Sequence, residues 1–421
     1  MEREPVPLSR VGRALALMAA SLVTITGAGF AFLHPNLYGA GGAGRNAQHH
    51  AAYHVAAVDF VSPTEGWVLA DQDTGDQTAV LHTADGGTSW TQQLSAPTGA
   101  GNKYARFFDG RAGVFAQIGA RPVLYRTGDG GRTWTSTPAL GESTTALSWS
   151  FIDEDHGWLL ADTGKRLPAS LYRTDDGGWT WTELGSPVAR GDDAFGVHFS
   201  YLTTGWLASA GSSPHAYKTD DFGHSWTRVQ LPLPAGARTD QGKFFVDVQR
   251  TKGAGLIASV VYFPPFNGHT SPGGTIRELP PLPVPFYDGS RPNNYFFSTM
   301  IDQVVGGPYS AVQAPLSELL RSVDGGATWV PIQTPALSGT LGYADPSSWL
   351  WVDNRAWSRS ADGGVTWTQP AGAGVPSPLP GSLRVVDRDH AWFAASETPA
   401  LETTSDGGAH WRLVNLPYAL Y

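Results

Sequence analysis

Ser322-Val-Asp-Gly-Gly-Ala-Thr-Trp329 decides how this chain folds, because its pattern, Ser/Thr-x-Asp-x-Gly-x-Ser/Thr-Trp, occurs seven times. The other copies run from Thr83 to Trp90, Thr127 to Trp134, Thr174 to Trp181, Thr219 to Trp226, Ser360 to Trp367 and Thr404 to Trp411, the last with His410 in the second hydroxyl position. The residue types describe a turn. A carboxylate can accept hydrogen bonds from backbone N–H groups that follow it, Gly supplies a backbone angle that a Cβ opposes, and the hydroxyl residue closes the loop from the other side. The Trp then carries a large apolar ring into the interior.

The pattern resembles the Asp box, or BNR repeat, of sialidases, sortilin-type receptors, xyloglucanase-type glycosidases and the photosystem II stability/assembly factor group. The resemblance implies a β-propeller in which each box joins the third and fourth strands of a blade, at the edge far from the ligand face. Asp85, Asp129, Asp176, Asp221, Asp324, Asp362 and Asp406 are then structural turn residues, with no catalytic or metal-binding role.

Upstream of most boxes an aromatic residue is followed six and seven places later by Gly-Trp or a variant: Phe60 with Gly66-Trp67, Phe107 with Gly113-Val114, Phe151 with Gly157-Trp158, Phe199 with Gly205-Trp206. One unit therefore reads as a strand from Val55 to Phe60, a polar turn, a strand from Trp67 to Ala70, a loop, a strand from Ala79 to His82, the box, and a strand from Trp90 to Leu94. The box Asp residues are spaced by 44, 47, 45, 103, 38 and 44 positions, against roughly 40 to 50 for a four-stranded blade. The long interval reads as one unit with an insertion, since Lys243 to Gln249, Gly255 to Tyr262 and Leu316 to Ser322 supply its first three strands. Between them lies a stretch containing Pro264-Pro265, Leu279-Pro-Pro-Leu-Pro-Val-Pro285 and Pro292. Such residues cannot donate to a sheet ladder. The expectation is an all-β chain with a single seven-bladed propeller of four-stranded antiparallel blades over residues 52–416, and a Pro-rich loop inserted at about 264–315.

Composition agrees. The 421 residues hold 51 Gly, 31 Pro and 16 Trp with only 15% charged residues, as in a turn-rich β protein. A net charge of −9 argues against a nucleic-acid partner, which needs a basic face. With no Cys, disulfides and thiolate chemistry are excluded. Arg3, Arg10 and Arg13 precede Ala14 to Leu33, twenty residues without a charge. That length suits a transmembrane signal-anchor with the N-terminus, residues 1–13, in the cytoplasm, although Tyr38-Gly-Ala-Gly-Gly-Ala-Gly44 could hold a signal-peptide cleavage site. Residues 34–51 read as a flexible linker. Either way the propeller is placed outside the cytoplasm, anchored in the membrane or secreted.

The candidate ligand face is the one opposite the boxes. Arg106 and Arg384 on inner strands, Arg190 and Arg238 in loops, and Phe286, Tyr287 and Tyr295 in the insertion are its candidate binding residues. Asp71, Asp73, Asp76, Asp192, Asp193 and Asp240 read as an acidic rim in loops of the same face, beside Arg190 and Arg238. A sialidase would need converging arginines for the substrate carboxylate, yet the first inner strand, His54-Val-Ala-Ala-Val-Asp-Phe60, carries none. The resemblance in blade pattern to the photosystem II assembly factor group implies a non-enzymatic scaffold for a protein or carbohydrate ligand. The alternatives are an exo-sialidase-like glycosidase and a cell-surface sugar or peptide receptor. No cofactor or metal is implied.

Overall fold

A computed structural model describes residues 53–72, 77–97, 103–117, 119–141, 144–162, 169–239, 242–251, 255–263, 283–284, 316–335, 339–345, 348–352, 357–369, 383–394 and 400–417. The N-terminal apolar segment, the linker and the insertion other than residues 283–284 lie outside them. Among the described residues there is no helix, so none is long and apolar enough to cross a membrane.

The strands follow the boxes. The first unit is β1 (Tyr53–Phe60), β2 (Gly66–Gln72), β3 (Gln77–Thr83) and β4 (Thr91–Pro97), paired antiparallel in that order. The second is β5 (Lys103–Phe107), β6 (Gly113–Gln117), the two-residue β7 (Gly119–Ala120), β8 (Val123–Thr127) and β9 (Thr135–Pro138). The third is β10 (Thr145–Phe151), β11 (Gly157–Asp162), β12 (Ser170–Thr174) and β13 (Thr182–Gly185), with β7 added beside β10. The fourth is β14 (Asp193–Phe199), β15 (Gly205–Gly211), β16 (His215–Thr219) and β17 (Thr227–Gln230). The fifth is β18 (Lys243–Arg250), β19 (Leu256–Phe263), then after β20 (Pro283–Val284) come β21 (Leu316–Ser322) and β22 (Val330–Pro331). The sixth is β23 (Gly339–Tyr343), β24 (Trp349–Val352) and β25 (Trp357–Ser360), with a bridge from Arg359 to Thr368 at its outer side. The seventh is β26 (Arg384–Val385), β27 (Ala391–Ala394), β28 (Ala400–Thr404) and β29 (Arg412–Asn415). These repeated four-stranded antiparallel sheets are consistent with a β-propeller. β15 also pairs with β18, which joins the fourth and fifth units into one eight-stranded sheet.

The strands are longer than the sequence suggests, and the box Trp sits in the turn, one residue before the fourth strand. Within the box the hydrogen bonds are shared differently from the sequence expectation. Thr83 Oγ1 donates to Asp85 Oδ1 (2.9 Å) and accepts from Gly87 N (2.8 Å), while Asp85 accepts from Ser89 N (2.8 Å) and Ser89 Oγ (2.6 Å). The first hydroxyl, not the carboxylate, caps the second Gly. His410 substitutes for the second hydroxyl by placing Nδ1 2.6 Å from Asp406 Oδ2.

Packing explains the second marker. A Cβ on Gly66 would lie 2.3 Å from the Phe60 ring, so Gly is what lets the ring fold back over its own hairpin. That ring then stacks on the second-strand Trp of the preceding unit: Phe107 on Trp67 at 3.8 Å and Phe199 on Trp158 at 3.5 Å. The box Trp of the same unit meets it edge-on, as in Phe107 with Trp134 at 85°. Each large hydrophobic cluster accordingly lies between two successive units, and one of them joins Trp392, Leu401 and Val414 to Tyr53, Phe60 and Leu81. The last unit thus closes on the first, and Arg412 Nη2 donates to Gly86 O across that seam (3.0 Å).

Candidate binding face

First strands start, and second strands end, on the side away from the boxes, which gathers their terminal side chains there. Asp71, at the end of β2, accepts a hydrogen bond from Thr78 and stands 3.7 Å from Lys103 Nζ at the start of β5. Burial lowers the Lys103 pKa, and Asp71 opposes that shift. Asp193, the first residue of β14, holds Lys243 of β18 at 2.8 Å. Both pairs tie a carboxylate of one unit to a lysine of the next.

Asp192 gathers the densest set. Its Oδ2 accepts from Tyr217 Oη (2.6 Å) and lies 2.9 Å from His215 Nε2, with Arg228 Nε at 3.6 Å. Arg228 Nη2 donates to Ser213 Oγ (2.8 Å) and stands 2.9 Å from His215 Nδ1. His215 is fully buried, and burial lowers its pKa, so the neutral ring is favoured in this cluster. Burial and the bond to Asp192 raise the Tyr217 phenol.

Deeper in, polar side chains of the first strands link unit to unit. Asp59 Oδ2 accepts from Phe107 N (2.7 Å), Tyr104 Oη from Phe151 N (3.0 Å), and Ser150 Oγ from Phe199 N (2.8 Å). His198 Nε2 and Asp247 Oδ1 form a buried hydrogen-bond contact between β14 and β18. Asp247 also accepts from Gln249 Nε2 (3.1 Å), and burial pushes its carboxyl up to about 7. Gln249 Oε1 accepts in turn from Tyr343 Oη (3.3 Å) on β23.

The four candidate arginines are distributed. Arg384 on β26 lies 3.2 Å from the fully buried Asp59 and donates to Phe60 O (3.2 Å), which makes it part of the seam between the last and first units. Arg106 is half-buried on β5, facing Val114 in register. Arg190 and Arg238 are exposed in the loops before β14 and β18. Phe286, Tyr287 and Tyr295, with Asp73, Asp76 and Asp240, lie outside the described residues. The acidic rim is corrected in one respect, since Asp71 and Asp193 are in strands rather than loops; Asp71, Asp192 and Asp193 also form ion pairs with Lys103, Arg228 and Lys243. Sequence reasoning overlooked Asp59, Lys103, His198, His215 and Asp247. Their signal was polarity within otherwise apolar strands, visible at Asp59 and Asp247 and absent at Lys103, which opens its strand.

The box carboxylates carry no comparable chemistry. In Asp85, Asp129, Asp221, Asp324 and Asp362 the closing hydroxyl is the largest cause, and the following backbone N–H the next, that hold the carboxyl down at about 2. Among the described residues no group of three or more His, Asp or Glu side chains is arranged to hold a metal ion.

No family model matches the chain and no curated protein does, so the Asp-box resemblance rests on the octapeptides themselves. Solved structures do show likeness. YCF48 bound to D1 peptide is 16% identical, with a TM-score of 0.44 over 73% of this chain and 80% of that one. YCF48 from Cyanidioschyzon merolae is 16% identical, with a TM-score of 0.45 over 75% and 86%. A structure from a study of two prolyl endopeptidases is 10% identical with a TM-score of 0.47, and this chain spans 55% of its length.

Proposed function

We propose that the chain is an exported, non-enzymatic binding scaffold: a single seven-bladed propeller over residues 52–416, held at the membrane by residues 14–33, that takes a protein segment on the face opposite the boxes. The observation that carries this reading is the state of Arg384. An inner-strand arginine of a sialidase must turn its guanidinium on the substrate carboxylate, whereas Arg384 spends its charge on Asp59 within the seam. A binding role suits what remains on that face, where Asp71, Asp192 and Asp193 are already paired and so offer a fixed pattern of charge rather than a reactive group. The insertion is the recognition element in this proposal. In support, Pro283–Val284 pairs with Gly339–Thr340, the first residues of β23, on the side away from β24.

Deleting residues 266–312 tests it: the variant should keep the cooperative unfolding of the full chain and lose capture of a cross-linked partner from its own cell envelope. Hydrolysis of a fluorogenic sialoside, abolished by changing one tyrosine or glutamate of this face, would refute the scaffold reading. Protease added to spheroplasts should cut within residues 52–416, and their full protection would refute export.

A further inference from the structure

On the box side, units three to five break the repeat at four positions, and two of the substitutions, Tyr201 and Arg250, are in direct contact. The first-second turn of the fourth unit carries Tyr201 where other units carry Ser62, Asp109, Asp153 and Asp387. Its box carries Phe222 at φ 66°, where the other six boxes place Gly at φ 67° to 75°. An L side chain resists that conformation, and such an outlier is a reason to ask what the side chain does. Trp179 adds an indole inside the third box, and Arg250 stands where a Phe ends the first strand of each of the first four units.

The rings are mounted on guanidinium groups. Arg126 lies 4.0 Å from the centroid of Trp179 and is fixed by donating to Gly177 O; Arg173 lies 4.8 Å from Phe222, and Arg250 3.8 Å from Tyr201. Trp179 and Tyr201 nevertheless keep 60% and 54% of their surface exposed, so each ring presents an open, pre-positioned face. The arc is continuous, since Phe222 N donates to Thr203 O beside Tyr201, and Arg173 bridges Phe222 to Asp175 within the box of Trp179.

Charge around the rings is sorted by depth. Asp175 is 57% exposed against 17% for its partner Arg173, and Asp220 65% against 27% for Lys218. In both pairs the cation lies beneath and the carboxylate outside. Exposed Trp and Tyr with adjacent Arg is the composition of interface hot spots, and outward carboxylates select a cationic partner.

We propose that this arc docks a lysine- or arginine-bearing segment of a partner protein, its cations meeting Asp175 and Asp220 and its aliphatic stems covering Trp179 and Tyr201. The surface is separate from the face opposite the boxes and stands whether or not that face binds. The test titrates the full-length protein into a fluorescein-labelled peptide of alternating lysine and leucine, and into its counterpart with glutamate for lysine. The lysine peptide should bind, the glutamate peptide should not, and Trp179→Ala with Tyr201→Ala should weaken binding about tenfold or more. Asp175→Asn with Asp220→Asn should weaken it in the same direction. Both pairs lie on the surface, and an unchanged melting temperature verifies that the fold is kept. Equal affinity for the two peptides, no binding of either, or lysine-peptide binding unaltered by loss of both rings would overturn the proposal. So would binding of a neutral oligosaccharide that depends on Trp179 where the lysine peptide fails.

Discussion

The indole of Trp392 lies flat on the ring of Phe60, with centroids 4.0 Å apart and planes within 6°. The contact repeats those of Trp67 with Phe107 and Trp158 with Phe199, but it joins the last unit to the first. Trp392→Ala should therefore cost about 3 to 5 kcal/mol in denaturant unfolding, as for other buried aromatic truncations. If the seam were the weak point of the ring, proteolysis of the variant should start in the first or last unit. Cutting elsewhere first, or a loss under 1 kcal/mol, would show that the seam does not carry this load.

Asp59 has no exposed surface and faces Arg384, which is itself largely buried. Removing one member takes this ion-pair partner from a buried charge, so Asp59→Ala and Arg384→Ala should each destabilise by about 3 to 5 kcal/mol. The double variant should be less damaging than the sum of the two. Additivity in that cycle would indicate that the two groups are not coupled.

Gly87 has φ 80°, and a Cβ there would lie 2.7 Å from Val414 of the last unit, whereas a Cβ on Gly128 would meet nothing within 4 Å. Gly87→Ala combines a left-handed backbone penalty of about 1 to 2 kcal/mol with overlap across the seam. Gly128→Ala should stay within about 0.5 kcal/mol of the parent. Thermal unfolding of the two variants side by side checks this, and equal melting temperatures would refute it.

Two sets of carboxyls should shape stability at opposite ends of the pH scale. The box Asp residues are held at about 2, below the ordinary 3.8, so their contribution is present above 3.8 and is lost as pH falls through about 2. Asp247 is raised to about 7, so its contribution is complete below 3.8 and is lost as pH rises through about 7. Melting temperature against pH should therefore fall on both sides, and Asp247→Asn should flatten only the upper arm. An upper arm unchanged in that variant would assign it to another group.

The strands and turns were legible because their causes are local. Thr83, Asp85, Gly87 and Ser89 satisfy one another within seven residues, and Phe60 needs Gly66 because the two face each other across one hairpin. The candidate site was less legible because its partnerships are remote. Asp71 with Lys103, His198 with Asp247 and Asp192 with Tyr217 join residues 25 to 49 positions apart, and no spacing rule connects them.

By itself the sequence determined a β architecture of box-marked units, since a turn motif that closes on its own side chains folds the same way wherever it occurs. Only the tertiary structure decided what Arg384 does. A guanidinium on an inner strand can face a ligand or a neighbouring sheet, and the choice depends on whether a buried carboxylate waits across the seam. Asp59 does, and because an unpaired charge in that interior would be costly, the arginine is drawn to it.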